Sequence, residues 1–342
     1  AFLSRTINRA NPRSAPPTKP AMSDSAKKAC ASRSIALAAL GGIAVGAIGT
    51  VLALKCGCCS KHTSSKYSLP DQPARFALDK RRNNSRVLDI DKHFDPSKLK
   101  GLNVVITGAN RGLGLALAKA ASDAGARVYG TCRRTSAELD AIPNSVAIEG
   151  IDVTSDESMR LLVDALEGVT VDILINNAGY FYGPAEKLDS LAFREESAMI
   201  EICAIGSLRV TAALWNAGRL ATDGTAKIAM ITSQGGSIAW RSVQNAPGPD
   251  FAGDYGHHMS KAANNMMAKL VSLELQGKAA VAILHPGFNR TEMTKKYEAI
   301  WDIEGAVDPS VGAKRVLHEI NALTHATSGL FINCEDGRQI PW

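Results

Sequence analysis

Eight residues, Thr107-Gly-Ala-Asn-Arg-Gly-Leu-Gly114, limit what this chain can fold into more than any other stretch. An apolar run, Val104-Val105-Ile106, leads into them, and an amphipathic run from Leu115 to Ala121 leads out. Strand, glycine turn and helix in that order make the βα unit that receives a dinucleotide. Glycines let the backbone approach a pyrophosphate closely, and the helix N-terminus offers unpaired N–H groups and a favourable dipole. The spacing is Gly-x-x-x-Gly-x-Gly rather than Gly-x-Gly-x-x-Gly, so the general fingerprint is not met as written. Such turns also occur for structural reasons alone, and the rest of the chain has to decide.

From about Ser97 onward, β-like and helical runs alternate. Strands are expected at 103–107, 126–131, 146–150, 171–175, 226–232, 279–284 and 329–332, with the longest helices near 190–219 and 256–276. Seven strands alternating with helices predict one domain, a doubly wound parallel sheet with its ligand at the carboxyl ends of the strands.

The first hundred residues are different. They carry 18 Lys/Arg against 6 Asp/Glu, whereas the remainder carries 21 against 27. The basic part is not the part with the glycine turn. That argues against a nucleic-acid-binding body and for a leader meeting a membrane or an acidic partner. Residues 1–33 are basic and rich in Ser, Ala and Pro, with Arg5, Arg9 and Arg13 four apart, the composition of an organelle-targeting leader. Residues 34–54 contain no charge and are closed by Lys55, which predicts one transmembrane helix over 34–55. Ala38, Gly42, Gly46 and Thr50 give it a small-residue stripe that lets another membrane helix pack closely. Residues 56–97 read as a polar, irregular juxtamembrane linker or surface strap. Its Cys56-Gly-Cys58-Cys59 cluster lacks the second pair that structural zinc requires, and no metal is expected. Seven cysteines in a chain of this length indicate a reducing compartment for the main domain.

Several short strings over residues 98–342 occur in a recognisable order. Thr107-Gly-x-x-x-Gly-x-Gly114, Asp152-Val153, Asn176-Asn177-Ala178-Gly179, Ser233, Ser260-Lys261 and Pro286-Gly287 resemble the short-chain dehydrogenase/reductase family. The resemblance implies a Rossmann-type domain and a cofactor site. Gly108, Gly112 and Gly114 would form its cradle, with Asn110, Arg111 and Leu113 along the pyrophosphate and ribose. Asp152 and Val153 would flank the adenine, and Asn177, Ala178 and Gly179 would pass beneath the ribose. Pro286, Gly287 and Thr291 would face the nicotinamide amide. Where an NAD enzyme would place a carboxylate after the second strand, this chain has Arg133 and Arg134, with Arg111 in the glycine turn. Guanidiniums suit a 2′-phosphate, so NADP(H) is expected over NAD(H), if the site is filled at all.

The catalytic centre departs from the family. Its proton donor is a Tyr four residues before the Lys, and here that position is His257. Residues four apart are turned by about 40° net on a helix, so His257 and Lys261 share a face. Tyr255, six before Lys261, would point away from it unless the helix starts late. Like-charge repulsion from Lys261 and an oxidised nicotinamide would keep His257 neutral, a form that donates a proton poorly. Cys203 stands where the family usually has an Asn that holds a proton-relay water, and a thiol is a weak hydrogen-bond partner. Ser233 and Lys261 remain. A 23-residue segment between Ser233 and His257, with Asn245-Ala-Pro-Gly-Pro-Asp250, would cover the cleft, and residues 292–308 would form a lid anchored by Trp301.

Two functions fit. One is a membrane-anchored, NADP(H)-binding accessory subunit of an organelle membrane complex, in the mitochondrial inner membrane or plastid thylakoid, with little or no chemistry. It would contact the membrane through residues 34–55 and other membrane-protein subunits beside them. The other is a membrane-bound NADPH-dependent carbonyl reductase or alcohol dehydrogenase in which His257 or Tyr255 transfers the proton.

Overall fold

The structure is a computed structural model, and it describes residues 66–244 and 253–342. The leader, the expected membrane helix, the cysteine cluster and the Asn245–Asp250 run lie outside the described residues. Among those described, one helix, Phe193–Asn216, is long and apolar enough to cross a membrane, with mean hydropathy 1.5, and 44% of its apolar window is buried within the domain.

The chain first runs through a strap containing α1 (Gln72–Arg81) and α2 (Ser85–Leu88). Next come β1 (Asn103–Thr107), α3 (Gly112–Asp123), β2 (Arg127–Thr131), α4 (Ala137–Asp140), β3 (Ser145–Ile148) and α5 (Asp156–Ala165). β4 (Ile173–Asn176) is followed by α6 (Phe193–Ile200), a π-helical turn (Glu201–Ile205) and α7 (Gly206–Asn216). β5 (Lys227–Ile231) leads to α8 (Tyr255–Glu274) and then β6 (Ala280–His285). A 3₁₀ segment (Glu292–Ile300), α9 (Trp301–Glu304) and α10 (Pro309–Ala322) precede β7 (Phe331–Asn333) and β8 (Arg338–Gln339).

All seven expected strands are present, in the order β3-β2-β1-β4-β5-β6-β7, and every neighbouring pair among them is parallel. The expected count is corrected to eight, because β8 turns back antiparallel on β7. The reversal passes through Gly337, whose φ of 71° suits glycine. Two residues are too few to show an alternating pattern, so this strand left no sequence signal.

Helices cover both faces, so the strands are apolar on both sides. Val104, Ile106, Ile173 and Ile175 pack on one face with Leu117 and Val316. Val105, Leu174, Ile228 and Val281 pack on the other with Leu214 and Val271. The period of two sends alternate side chains to the two faces, and the parallel pairing brings the carboxyl ends of β1–β7 to one edge of the sheet.

The strap is more ordered than its composition suggested. Asp71 caps α1 by accepting from the Ala74 amide at 2.9 Å, and Pro73 sits in the first turn. Lys66 and Ser68 pair with Gln339 (Gln339 N to Lys66 O 3.1 Å, Ser68 N to Gln339 O 2.9 Å), covering the free edge beside β8.

Candidate active site

The glycine turn has the shape its spacing implied. Gly108 and Gly112 have φ of 66° and 55°, in the left-handed region. At Gly114 the reason for glycine is space: a Cβ there would lie 2.1 Å from the Gly108 carbonyl oxygen and 2.6 Å from Asn177 Nδ2. The Thr107 hydroxyl accepts from the amides of Asn177 (3.0 Å) and Ala178 (2.9 Å), while Asn177 Nδ2 donates to the Thr107 carbonyl at 2.9 Å. These bonds join the ends of β1 and β4 beneath the turn. Helix α3 opens at Gly112 with no side-chain cap from Arg111, so its first N–H groups face outward.

Asn110 Nδ2 donates to the Arg134 carbonyl at 3.0 Å, and the Ser136 hydroxyl to the Asn110 carbonyl at 2.9 Å. One corner therefore presents Arg111, Arg133 and Arg134, all exposed. Partial burial opposes ionisation of Asp152. Two hydrogen bonds from Thr154, with the charges of Arg133 and Arg209, nevertheless hold its carboxyl below the usual range. Val153 is fixed against Gly206, where a Cβ would lie 2.7 Å from Val153 Cγ2. Thr291 closes the far side, with its methyl 3.7 Å from where a Gly112 Cβ would stand. Leu113 packs into the core on the α3 face. A turn with no room for a Cβ at Gly114, with cationic groups at one rim, fits a dinucleotide phosphate.

The four expected catalytic positions also converge. Around Gly179, a Cβ would lie 3.8 Å from Cys203 Sγ and 4.0 Å from Lys261 Nζ. Around Gly235, a Cβ would lie 3.0 Å from His258 Nδ1 and 3.2 Å from His257 Nε2. The Ser233 hydroxyl accepts from the Gly235 amide at 3.0 Å, placing it at the same turn. Lys261 Nζ donates to the Ile231 carbonyl at 3.3 Å. Cys203 lies within the π turn, a helix irregularity that often marks functional sites, and its thiol points at the Tyr180 carbonyl at 3.6 Å.

His257 is neutral. Burial is the main cause of its lowered pKa, followed by the charges of His258, Lys261, Lys296 and Arg241. Its Nδ1 is buried without a hydrogen-bond partner, and Phe181 packs on its ring at 4.7 Å. Burial and the neighbouring Arg241 likewise take His258 down to about 4. Tyr255 begins α8, one residue after Asp254.

Asp254, Phe181 and Tyr297 were not legible as site residues. Asp254 adopts φ 45° and ψ 47°, strained for a residue with a side chain. Its carboxylate accepts from the Tyr297 hydroxyl (3.2 Å) and pairs with Lys296 (3.5 Å), so it ties the 3₁₀ segment to the start of α8. Lys296 Nζ also lies 3.9 Å from the Phe181 ring centre. Glu186 accepts from the Gly256 amide at 2.9 Å, and its own amide donates to Asp254 Oδ1 at 3.4 Å. Trp301, at the start of α9, has the Arg290 guanidinium 5.7 Å above its ring. Among the described residues no group of His, Cys, Asp and Glu is arranged to bind a metal.

A short chain dehydrogenase family profile matches residues 102–300. The chain therefore belongs to the short-chain dehydrogenase/reductase family, whose oxidoreductases bind NAD(P). It is 30% identical over 258 residues to an uncharacterized oxidoreductase of Schizosaccharomyces pombe, covering 69% of this chain and 96% of that one. It is 28% identical over 223 residues to retinol dehydrogenase 14 of Mus musculus, covering 58% of this chain and 64% of the relative. Among solved structures, NADPH-bound carbonyl reductase from chicken fatty liver matches with a TM-score of 0.59 and 25% identity, over 71% of this chain and all of that one.

Proposed function

We propose that this protein is an NADP(H)-binding member of the family in which the cofactor scaffold is kept and proton transfer is weakened. Residues 34–55 anchor it as an accessory subunit of an organelle membrane complex. The observation that carries the loss of chemistry is the setting of His257. NADP(H) supplies or takes a hydride, and the protein's share is then to move one proton at the substrate oxygen. A neutral imidazole has no proton to spare at Nε2 if Nδ1 holds it. Acting as a base, it would become a cation among Lys261, Arg241 and Lys296 with no carboxylate on Nδ1. Both directions are disfavoured. Arg111, Arg133 and Arg134 support NADP(H), as does the NADPH-bound relative.

The convergence of Ser233, His257 and Lys261, together with the names carbonyl reductase and retinol dehydrogenase among the relatives, supports a second reading, an active carbonyl reductase or alcohol dehydrogenase. Two measurements separate them. The first reading expects NADPH to bind, as read from its fluorescence, with no turnover over a panel of aldehydes and ketones. It also expects migration with a large complex in mild detergent. Turnover abolished by His257→Ala, in a protein that runs at its own mass, would establish the second reading instead.

A further inference from the structure

The strap belongs to no family motif, yet α1 reaches the turns that follow β5 and β7 and the Glu304–Gly305 backbone. Arg75 is 4% exposed, and its Nη2 lies 2.8 Å from Glu335 Oε2 and 3.3 Å from Gln234 Oε1. Gln234, the residue after Ser233, donates from Nε2 to Gln72 Oε1 at 2.7 Å. Gln72 Nε2 reaches the Glu304 carbonyl at 3.3 Å, at the end of the lid. Phe76 occupies the space beside Gly305, where a Cβ would lie 2.5 Å from its ring. Glu335 completes the set. Its Oε1 accepts from the Phe288 amide at 3.2 Å, and a Cβ on Gly287 would lie 2.6 Å from its Cγ.

Anchorage alone does not explain a buried ion pair. Desolvating two charges costs about as much as their attraction returns, and an apolar pair of similar volume would hold the strap as well. What a guanidinium adds is a planar fork that orients several acceptors at once. Burial raises the Glu335 carboxyl, but the charges of Arg75, His285 and Arg315 outweigh it and hold the group down to about 2, so Glu335 is ionised.

We infer that Arg75 is a positioning residue: it fixes Glu335 and Gln234, and through them the Pro286–Phe288 turn and the backbone beside Ser233, so that the strap completes the nicotinamide end of the site. The inference rests on the reading of this site as an NADP(H) site.

The test uses the full chain in detergent, comparing Arg75→Met and Arg75→Lys with Lys314→Ala. The last breaks a strap contact that does not involve Glu335 or Gln234, the Lys314–Asp91 pair. Hydrogen exchange over residues 284–290 reports the Phe288 amide, and NADPH fluorescence reports affinity. Arg75→Met is expected to speed exchange there and to weaken NADPH binding about tenfold, the scale of one lost charged hydrogen bond. Arg75→Lys, which keeps the charge without the fork, should fall between, and Lys314→Ala should change neither. A folded Arg75→Met with wild-type exchange and affinity overturns the inference. Should Arg75→Met fail to fold, Gln72→Ala decides: a severalfold loss of affinity at an unchanged melting temperature supports the inference, and no loss overturns it. If the wild type binds no NADPH, the cofactor reading falls, and the exchange result alone decides whether Arg75 positions the turn.

Discussion

Gly114 shows why one residue type can be compulsory. Its would-be Cβ falls 2.1 Å from a carbonyl oxygen, inside any tolerable contact, and the neighbour is backbone that cannot step aside. Gly114→Ala is therefore expected to displace the turn, lowering the melting temperature and reducing NADPH affinity by at least about tenfold, as fluorescence titration would show. Arg133 tests the cofactor's identity. Arg133→Glu should weaken NADPH binding by more than about tenfold while leaving NADH binding unchanged or improved, because only the former has a 2′-phosphate to repel. Equal loss for both would place Arg133 outside the phosphate site. Both residues were legible in the sequence, one from spacing and one from a missing carboxylate. His257 was legible only by its offset from Lys261. Its partnerless Nδ1 and the cations around it come from segments distant in sequence, which no local pattern reports.

At the scale of elements, the central strands were legible because burial on both faces makes β1, β4, β5 and β6 apolar runs bounded by turns. The strap was less so. Asp71 and Pro73 are ordinary helix-start signals, but α1 faces the domain with Gln72, Arg75 and Asp79 buried, which in sequence reads as a solvated polar run. The π turn at Glu201–Ile205 was likewise invisible, since it changes hydrogen-bond register and not composition. It bears on chemistry because it carries Cys203. In a His257→Tyr background, Cys203→Asn is expected to raise turnover severalfold further, whereas alone it should do little, a coupling that a double-mutant cycle measures. Additive effects would mean that the π turn takes no part in proton transfer.

For the whole molecule, pH is the informative variable. Burial, opposed by Glu335, lowers His285 to about 4, and His258 falls to the same level. In the unfolded chain both would titrate near the ordinary value of about 6.5. Between these values the unfolded state binds more protons than the folded one. The stabilisation is thus complete above about pH 6.5 and is lost as pH falls toward 4. For the well-buried His285 this is on the order of 3 kcal/mol. The melting temperature should fall by several degrees between pH 7 and pH 5, and His285→Gln should reduce that slope. A flat profile would contradict the burial of these rings. Further acidification adds Glu335, held at about 2, which gives up its contribution as pH falls from the usual carboxylate range toward that value.

The most direct test of a retained cofactor scaffold with weakened chemistry is the turnover of NADPH with a carbonyl panel by the wild type and by His257→Tyr, at saturating cofactor. Restoring a proton donor of suitable reach should raise kcat by about a hundredfold or more, with NADPH affinity unchanged. Wild-type turnover that His257→Tyr leaves equal or lower would show that His257 already performs the proton transfer, and the protein would then be a working oxidoreductase.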